Sequence, residues 1–315
     1  MKKLFAKRAR LVLLALLVLT LVACGGGQAD TVGITYVQAP LNVPAIVARE
    51  LGIFEQAFEE FGMEVHHANL TTGPDQIAAL ASGDIQFLFA VGGTSVIQAA
   101  AGGLDIRIIS VFSRAPQAFM LFSNDDSIAS AADLQGRTVA GPMGTILHQL
   151  LAAYLQTAGL TTGDVNFVSM DIADGQAALL AGAVDLALMA GPAAYITAQG
   201  GTRLVTDGEG LIEGTIVVAV LESFYRANRP LVEAFLQAQN RVLDFIADNP
   251  GQSMEITASA TGLPIEAVQG MFPMYDFRSE ILPSDIQSLE DTMRFMLENA
   301  MIDREIDIRG LVLGL

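Results

Sequence analysis

The chain has 315 residues, a formal net charge of −17 at pH 7, 52% hydrophobic residues, one cysteine and no tryptophan. So acidic a balance argues against a nucleic-acid partner and against adsorption to anionic lipid. A single cysteine, at position 24, excludes an intrachain disulfide, and it excludes Cys–His catalysis or a cysteine-based zinc site in the folded body.

In chain order, the first element is a segment for export. Lys2, Lys3, Lys7, Arg8 and Arg10 precede an apolar run from Leu11 to Ala23, broken only by Thr20. The run falls short of the ~20 residues that a membrane span needs, and a basic start with a short apolar core is the pattern of an export signal. Its end, Leu21-Val22-Ala23-Cys24-Gly25, looks like a bacterial lipobox. In such lipoproteins the cysteine takes a diacylglycerol and becomes the first residue. Residues 1–23 are then a lipoprotein signal peptide and 24–30, rich in glycine, a tether. The signal holds five positive charges, including every lysine, so processing moves the formal charge from −17 to −22. No second apolar run reaches spanning length, and the remaining chain is long enough for two lobes.

The body alternates strands with helices. Thr31–Val37 is a strand, Asn42 caps a helix running to about Phe61 with Gly52 interrupting it, and Met63–Ala68 is a strand. A helix over Pro74–Ala81 stops at Ser82-Gly83. A strand over Ile85–Ala90, a helix over Thr94–Ala101 and a strand over Ile106–Phe112 follow. Phe119–Phe122 is extended and residues 131–134 form a helical turn. The rhythm then restarts: strand Thr138–Ala140, helix Thr145–Thr157, strand Val165–Met170, helix Gly175–Ala181 and strand Val184–Met189. Thr215–Leu221 is extended, and helices fall around 230–248, 251–260, 264–270 and 283–299. This βαβ order predicts mostly parallel sheets flanked by helices.

An internal echo supports two similar units. Shifted by 99 residues, Ala78-Ala79-Leu80 falls on Ala177-Ala178-Leu179, Gly83 on Gly182 and Gly92 on Gly191. Two such lobes would face each other across a cleft at the carboxyl ends of their strands.

Several segments in order resemble the solute-binding proteins of ABC importers for sulfonate, taurine, nitrate and thiamine precursors. They are Ala48-Arg49-Glu50-Leu51-Gly52-Ile53-Phe54, Thr72-Gly73-Pro74-Asp75-Gln76 and Leu80-Ala81-Ser82-Gly83-Asp84-Ile85-Gln86. The second lobe adds Ala132-Asp133-Leu134-Gln135-Gly136-Arg137-Thr138-Val139-Ala140 and Gly182-Ala183-Val184-Asp185-Leu186-Ala187. The resemblance implies an α/β, two-lobed type II periplasmic-binding fold. Residues 31–118 would begin lobe I, 119–213 form lobe II, and 214–315 return to lobe I, with crossings near Ala115–Phe122 and Leu211–Val217. It implies a small-molecule ligand, an ABC permease and ATPase complex as partners, no cofactor, an extracytoplasmic monomer held to the membrane by lipid on Cys24, and no enzymatic activity. A receptor of the TRAP type and an extracellular sensor are other readings. So is an enzyme on this fold, of thiamine-pyrimidine or menaquinone type, although the pyrimidine enzymes carry a cysteine-rich segment that is absent here.

Candidate ligand contacts lie in loops after strands. They are Gln38 and Ala39; Thr72, with Thr71 beside it; Gly92, Gly93, Thr94 and Ser95; and Met143, Gly144 and Thr145. N–H groups at a helix start suit an anion or carbonyl oxygen, although capping alone uses the same residue types. Ser113 and Arg114 end a strand. Arginine matches sulfonate or carboxylate as a planar fork, or it is a hinge residue. Met189, Gly191 and Tyr195 stand where relatives often carry a tryptophan and an acidic residue before the proline. His66 and His67 point to opposite faces of a strand, so they predict no metal, and no Walker A, HExxH, GxSxG or dinucleotide fingerprint is present. The expected ligand is a small organic solute with an apolar body and one polar or anionic end, seated at the Thr94-Ser95 or Thr145 helix start. Mass spectrometry of the mature N-terminus should find an acylated Cys24; an intact Met1 would refute the anchor.

Overall fold

The structure, a computed structural model, describes residues 31–37 and 41–313. The predicted signal and tether, together with Gln38 and Ala39, lie outside the described residues. Strand β1 (Thr31–Thr35) leads into helices α1 (Val43–Glu50) and α2 (Ile53–Glu59). One helix was expected here, but Gly52 takes a left-handed backbone (φ +62°), ends the first and starts the second. Strand β2 (Glu64–Ala68), helix α3 (Gly73–Ser82), strand β3 (Leu88–Gly92), helix α4 (Gly93–Ala101) and strand β4 (Ile106–Arg114) follow.

A 3-10 turn at Pro116–Ala118 carries the chain to a second sheet. There lie β5 (Phe119–Ser123), β6 (Thr138–Gly141), α5 (Ile146–Gln156), β7 (Asn166–Ser169), α6 (Ile172–Leu180), β8 (Leu186–Ala190), α7 (Gly191–Gln199) and β9 (Arg203–Asp207). Neither α7 nor β9 was expected. Helix α7 opens on Gly191-Pro192, which reads as a breaker, yet proline is tolerated in a first helical turn. The chain returns through β10 (Thr215–Leu221). Helices α8 (Glu222–Ala227), α9 (Arg229–Asp248), α10 (Pro250–Thr261), α11 (Ile265–Met271), α12 (Pro283–Glu298) and α13 (Ile308–Leu311) complete it.

The two sheets share one topology. In the first, β1 pairs parallel with β2, an Ile34–Phe87 bridge joins that pair to β3, and β10 runs antiparallel between β3 and β4. In the second the order is β7-β6-β8-β5-β9, with β5 antiparallel between β8 and β9. Each sheet is thus a parallel set with one reversed strand inserted, and in each case that strand adjoins a crossing. The echo of 99 residues maps α3–β3 onto α6–β8, and Gly83 (φ +85°) and Gly182 (φ +70°) make equivalent left-handed turns. Among the described residues no helix is long and apolar enough to cross a membrane.

One apolar core runs through the first sheet and across the crossings into the second, including Phe89, Phe112, Ala115, Ala118, Phe119, Ile146 and Leu188. Phe235 of α9 stacks on Phe54 and on Phe87, with centroids 4.7 and 4.2 Å away. The crossings themselves pack through glycine. A methyl group on Gly214 would stand 2.9 Å from the Phe119 ring and 3.1 Å from the Ala115 carbonyl, and its φ is +61°. Gly214→Ala should lower the unfolding free energy by about 2 kcal/mol from backbone strain and crowding together, measured by urea denaturation.

Candidate functional site

Three helices start at the carboxyl ends of central strands: α4 directly after β3, α7 directly after β8, and α5 after β6 through the turn at residues 142–145. None of the three has a side chain capping its first N–H groups. Those donors and the positive end of the helix dipole are the elements of an anion or carbonyl site. The starts of α4 and α5 meet, since a methyl group on Gly92 would lie 3.8 Å from Ile146 Cδ1.

Residues of this rim behave differently from one another. Thr94 is buried, and Ser95 packs so closely on Gly73 that a methyl group there would overlap its hydroxyl. Thr72 caps α3, its Oγ1 accepting from Asp75 N at 3.3 Å and donating to Asp75 Oδ2 at 2.6 Å. Thr145 Oγ1 donates to the Pro142 carbonyl at 2.9 Å, which closes the 142–145 turn. Gly144 N donates to Nδ1 of His148 at 3.4 Å, and burial lowers the His148 pKa, so that ring is kept neutral. Met143 is 60% exposed and points to solvent.

On the sheet beneath, Gly92, Ile216 and Ser113 form one rung across β3, β10 and β4. The Ser113 hydroxyl is fully buried and has no hydrogen-bond partner among the described residues. Gly191 (φ +59°) and Tyr195 meet Met120 and Tyr275 around a small slot beside the first crossing.

Two expected contacts have other work. Arg114 is turned away from the cleft into a buried ion pair: Nε and Nη2 donate to the two oxygens of Asp285 at 2.6 and 2.5 Å. Its remaining N–H groups go to the carbonyls of Arg278 (3.0 Å) and Glu280 (2.7 Å) and toward Asp276 (3.6 Å). With those donors taken it has no fork left for a ligand. Met189 is fully buried beneath the second sheet, paired with Met120, and its sulfur accepts from the Thr197 hydroxyl at 3.3 Å. It faces α6 and α7 because β8 is a central strand, covered on that side.

The other cations are engaged too. Each of the twelve arginines among the described residues holds a carboxylate, a backbone carbonyl or an aromatic ring. His67 pairs with Glu55 at 2.9 Å and His66 is exposed, on opposite faces as the strand requires. A groove of about 320 Å³ lies elsewhere, between β4, α9 and residues 279–281 and 312–313.

Helix α12 reaches from the first sheet to the second. Gln149 Nε2 donates to Thr292 Oγ1 at 3.0 Å, Thr162 Oγ1 to Asn299 Oδ1 at 2.9 Å, and the His148 and Phe295 rings meet edge to face.

The model of the NMT1/THI5-like family matches residues 40–253. A protein assigned as an aliphatic sulfonates-binding protein of Escherichia coli (strain K12) is 28% identical over 85% of this chain and 84% of its own length. One with the same assignment from Bacillus subtilis (strain 168) is 25% identical over 97% and 94%. Among solved structures, the alkanesulfonate-binding protein SsuA of Xanthomonas axonopodis pv. citri, bound to MOPS, superposes with a TM-score of 0.80 over 90% of this chain and 98% of that one, at 22% identity. The desulfurization enzyme DSZB superposes at 0.69 with 18% identity. These likenesses are of fold, and the fold is the two-lobed type II periplasmic-binding architecture.

Asp285→Ala would leave the Arg114 guanidinium buried without its carboxylate. It should cost about 3–5 kcal/mol of stability, seen as a lowered urea midpoint; a change under about 1 kcal/mol would show that Arg114 is free to leave this pair.

Proposed function

We propose that this chain, which belongs to the NMT1/THI5-like family, is a lipid-anchored extracytoplasmic protein that captures a small organic solute between its lobes and delivers it to an ABC importer. One observation carries the reading. Helices α4 and α5 start without a side-chain cap at the carboxyl ends of central strands and meet at Gly92 and Ile146, and the Ser113 hydroxyl, on the rung of Gly92, is buried without a partner among the described residues. A polar end group with several acceptor oxygens suits such donors, and the apolar body of the solute would lie along Tyr195 and the adjoining methionines. The names of the relatives, which concern aliphatic sulfonates, fit a ligand of that shape. Arg114, the arginine nearest these strand ends, is committed to Asp285, so recognition rests on backbone dipoles and hydroxyls.

The same architecture in DSZB makes an enzyme the second reading. A carrier returns its ligand unchanged, so chromatography of the ligand after prolonged incubation separates the two. Thr94, Ser95, Gly144, Thr145 and Gly191 are the contacts proposed on the rim, and Gln38 and Ala39, outside the described residues, remain candidates by resemblance.

The test is a thermal-shift screen over nitrate, bicarbonate, taurine, alkanesulfonates, aromatic acids and pyrimidines. Alkanesulfonates or related organic acids should stabilise the fold, by about 2.7 kcal/mol at a hundredfold excess over Kd. Stabilisation by nitrate or bicarbonate alone would overturn the proposed ligand class.

A further inference from the structure

Tyr275 lies in the link between α11 and α12, and it is 8% exposed. Its hydroxyl, like that of Ser113, is buried and has no hydrogen-bond partner among the described residues. The backbone explains how the two are related. Arg114 and Asp276 form an antiparallel bridge, exchanging two N–H···O bonds of 2.8 Å. Their side chains share one face of that short ladder and make the ion pair. Strand alternation places Ser113 and Ala115 on the other face, with Tyr275 and Phe277. Phe277 stacks on Tyr275 (5.5 Å, 10°) and meets Phe112, whose neighbour is Ser113.

On that face Tyr275 helps to wall a slot of about 10 Å³, room for roughly one water. Met120, Gly191, Tyr195, Met271 and Met274 also line it. Gly191 is the first residue of α7, so the slot opens on one of the three helix starts. Methionines can re-pack around an inserted group more readily than branched side chains.

An unpaired buried hydroxyl destabilises a fold. Phe277, two residues on, shows that this face accepts a phenylalanine. Folding alone therefore gives no reason for a tyrosine at 275. Burial also raises the phenol pKa well above its ordinary value, so the group stays an O–H donor at physiological pH.

We propose that the Tyr275 hydroxyl is a buried donor that reads a polar atom of the bound solute at the start of α7, and that Tyr275 is a specificity-determining residue of the cleft. This rests on the solute-binding reading above. It places a reader of the ligand in the C-terminal arm, beyond the rim loops that follow the strands.

The test is calorimetric titration of wild type and Tyr275→Phe with hexane-1-sulfonate and with MOPS, alongside melting curves of the ligand-free proteins. Loss of one hydrogen bond to an anionic acceptor should weaken binding roughly ten- to a hundredfold in the variant. Ligand-free Tyr275→Phe should melt a few degrees higher than wild type, because an unpaired buried hydroxyl is gone. A higher melting point with affinity unchanged within twofold would mean that the slot holds a water only, and would overturn the proposal while leaving the solute-binding reading intact. A lower melting point would overturn it as well, since the hydroxyl would then be paired in the fold. Wild type that binds neither sulfonate, nor any other compound of the thermal-shift panel, would remove the solute-binding reading and this inference with it.

Discussion

Asp285, 1% exposed, receives the Arg114 guanidinium through two parallel hydrogen bonds at 2.6 and 2.5 Å, and the architecture turns on that buried pair. Taking two charges out of water is costly, and the cost is offset only when geometry is good and the remaining groups are satisfied. Both conditions hold. The carboxylate also accepts Leu282 N at 2.6 Å, which fixes the first turn of α12. The guanidinium also ties down two carbonyls of the 278–280 segment. Arg114 is the last residue of β4 and stands one residue before the first crossing; its strand partner Thr215 opens the return from the second. The side chain ties the end of the first sheet to residues 276–285, and the strand pairing of its backbone with Thr215 brings in the return crossing.

That commitment decides the electrostatics of the cleft. The body is strongly acidic, and its best-placed arginine is neutralised internally. An anionic solute would approach against the net field and find N–H dipoles and hydroxyls in place of a cation. Such a site discriminates by geometry. Helix N-termini favour charge over about one turn, so a polar end displaced along the groove loses most of its stabilisation. An apolar body fixes the depth of that end, and selectivity would then sit in the shape of the apolar wall.

Much of this was legible in the sequence, and the exceptions have physical causes. Alternating apolar strands and amphipathic helices gave the layers, and the 99-residue echo gave the twofold plan, because each lobe solves the same burial problem with the same unit. Arg114 could be placed at a strand end but not assigned a partner, since Asp285 lies 171 residues away and carboxylates are abundant in an acidic chain. Met189 was a candidate because, with Gly191 and Tyr195, it stands where relatives carry a tryptophan; strand alternation and the cover of α6 and α7 turn it inward. Helix α7 was hidden behind a Gly-Pro start. Tyr275 escaped because Tyr275-Asp276-Phe277-Arg278 matches no functional motif and lies far along the chain from the rim loops. Its alternation, aromatic residues at 275 and 277 against charges at 276 and 278, was the available sign of a two-faced strand.

Motion between the lobes is constrained by the same ties. The crossings are pinned at Arg114 and packed through Gly214, so parting the lobes would pivot there and separate what lies farthest away. Contacts between α12 and the second lobe include the Gln149–Thr292 and Thr162–Asn299 hydrogen bonds and the His148–Phe295 edge. Each neutral hydrogen bond of this kind contributes only about 1 kcal/mol net, because water replaces it on opening. A ligand governs such an equilibrium only through the difference between its affinities for the closed and open forms. The buried Arg114–Asp285 pair is too costly to break in that process, so α12 would move with the first sheet and act as the fixed jaw against which α5 closes.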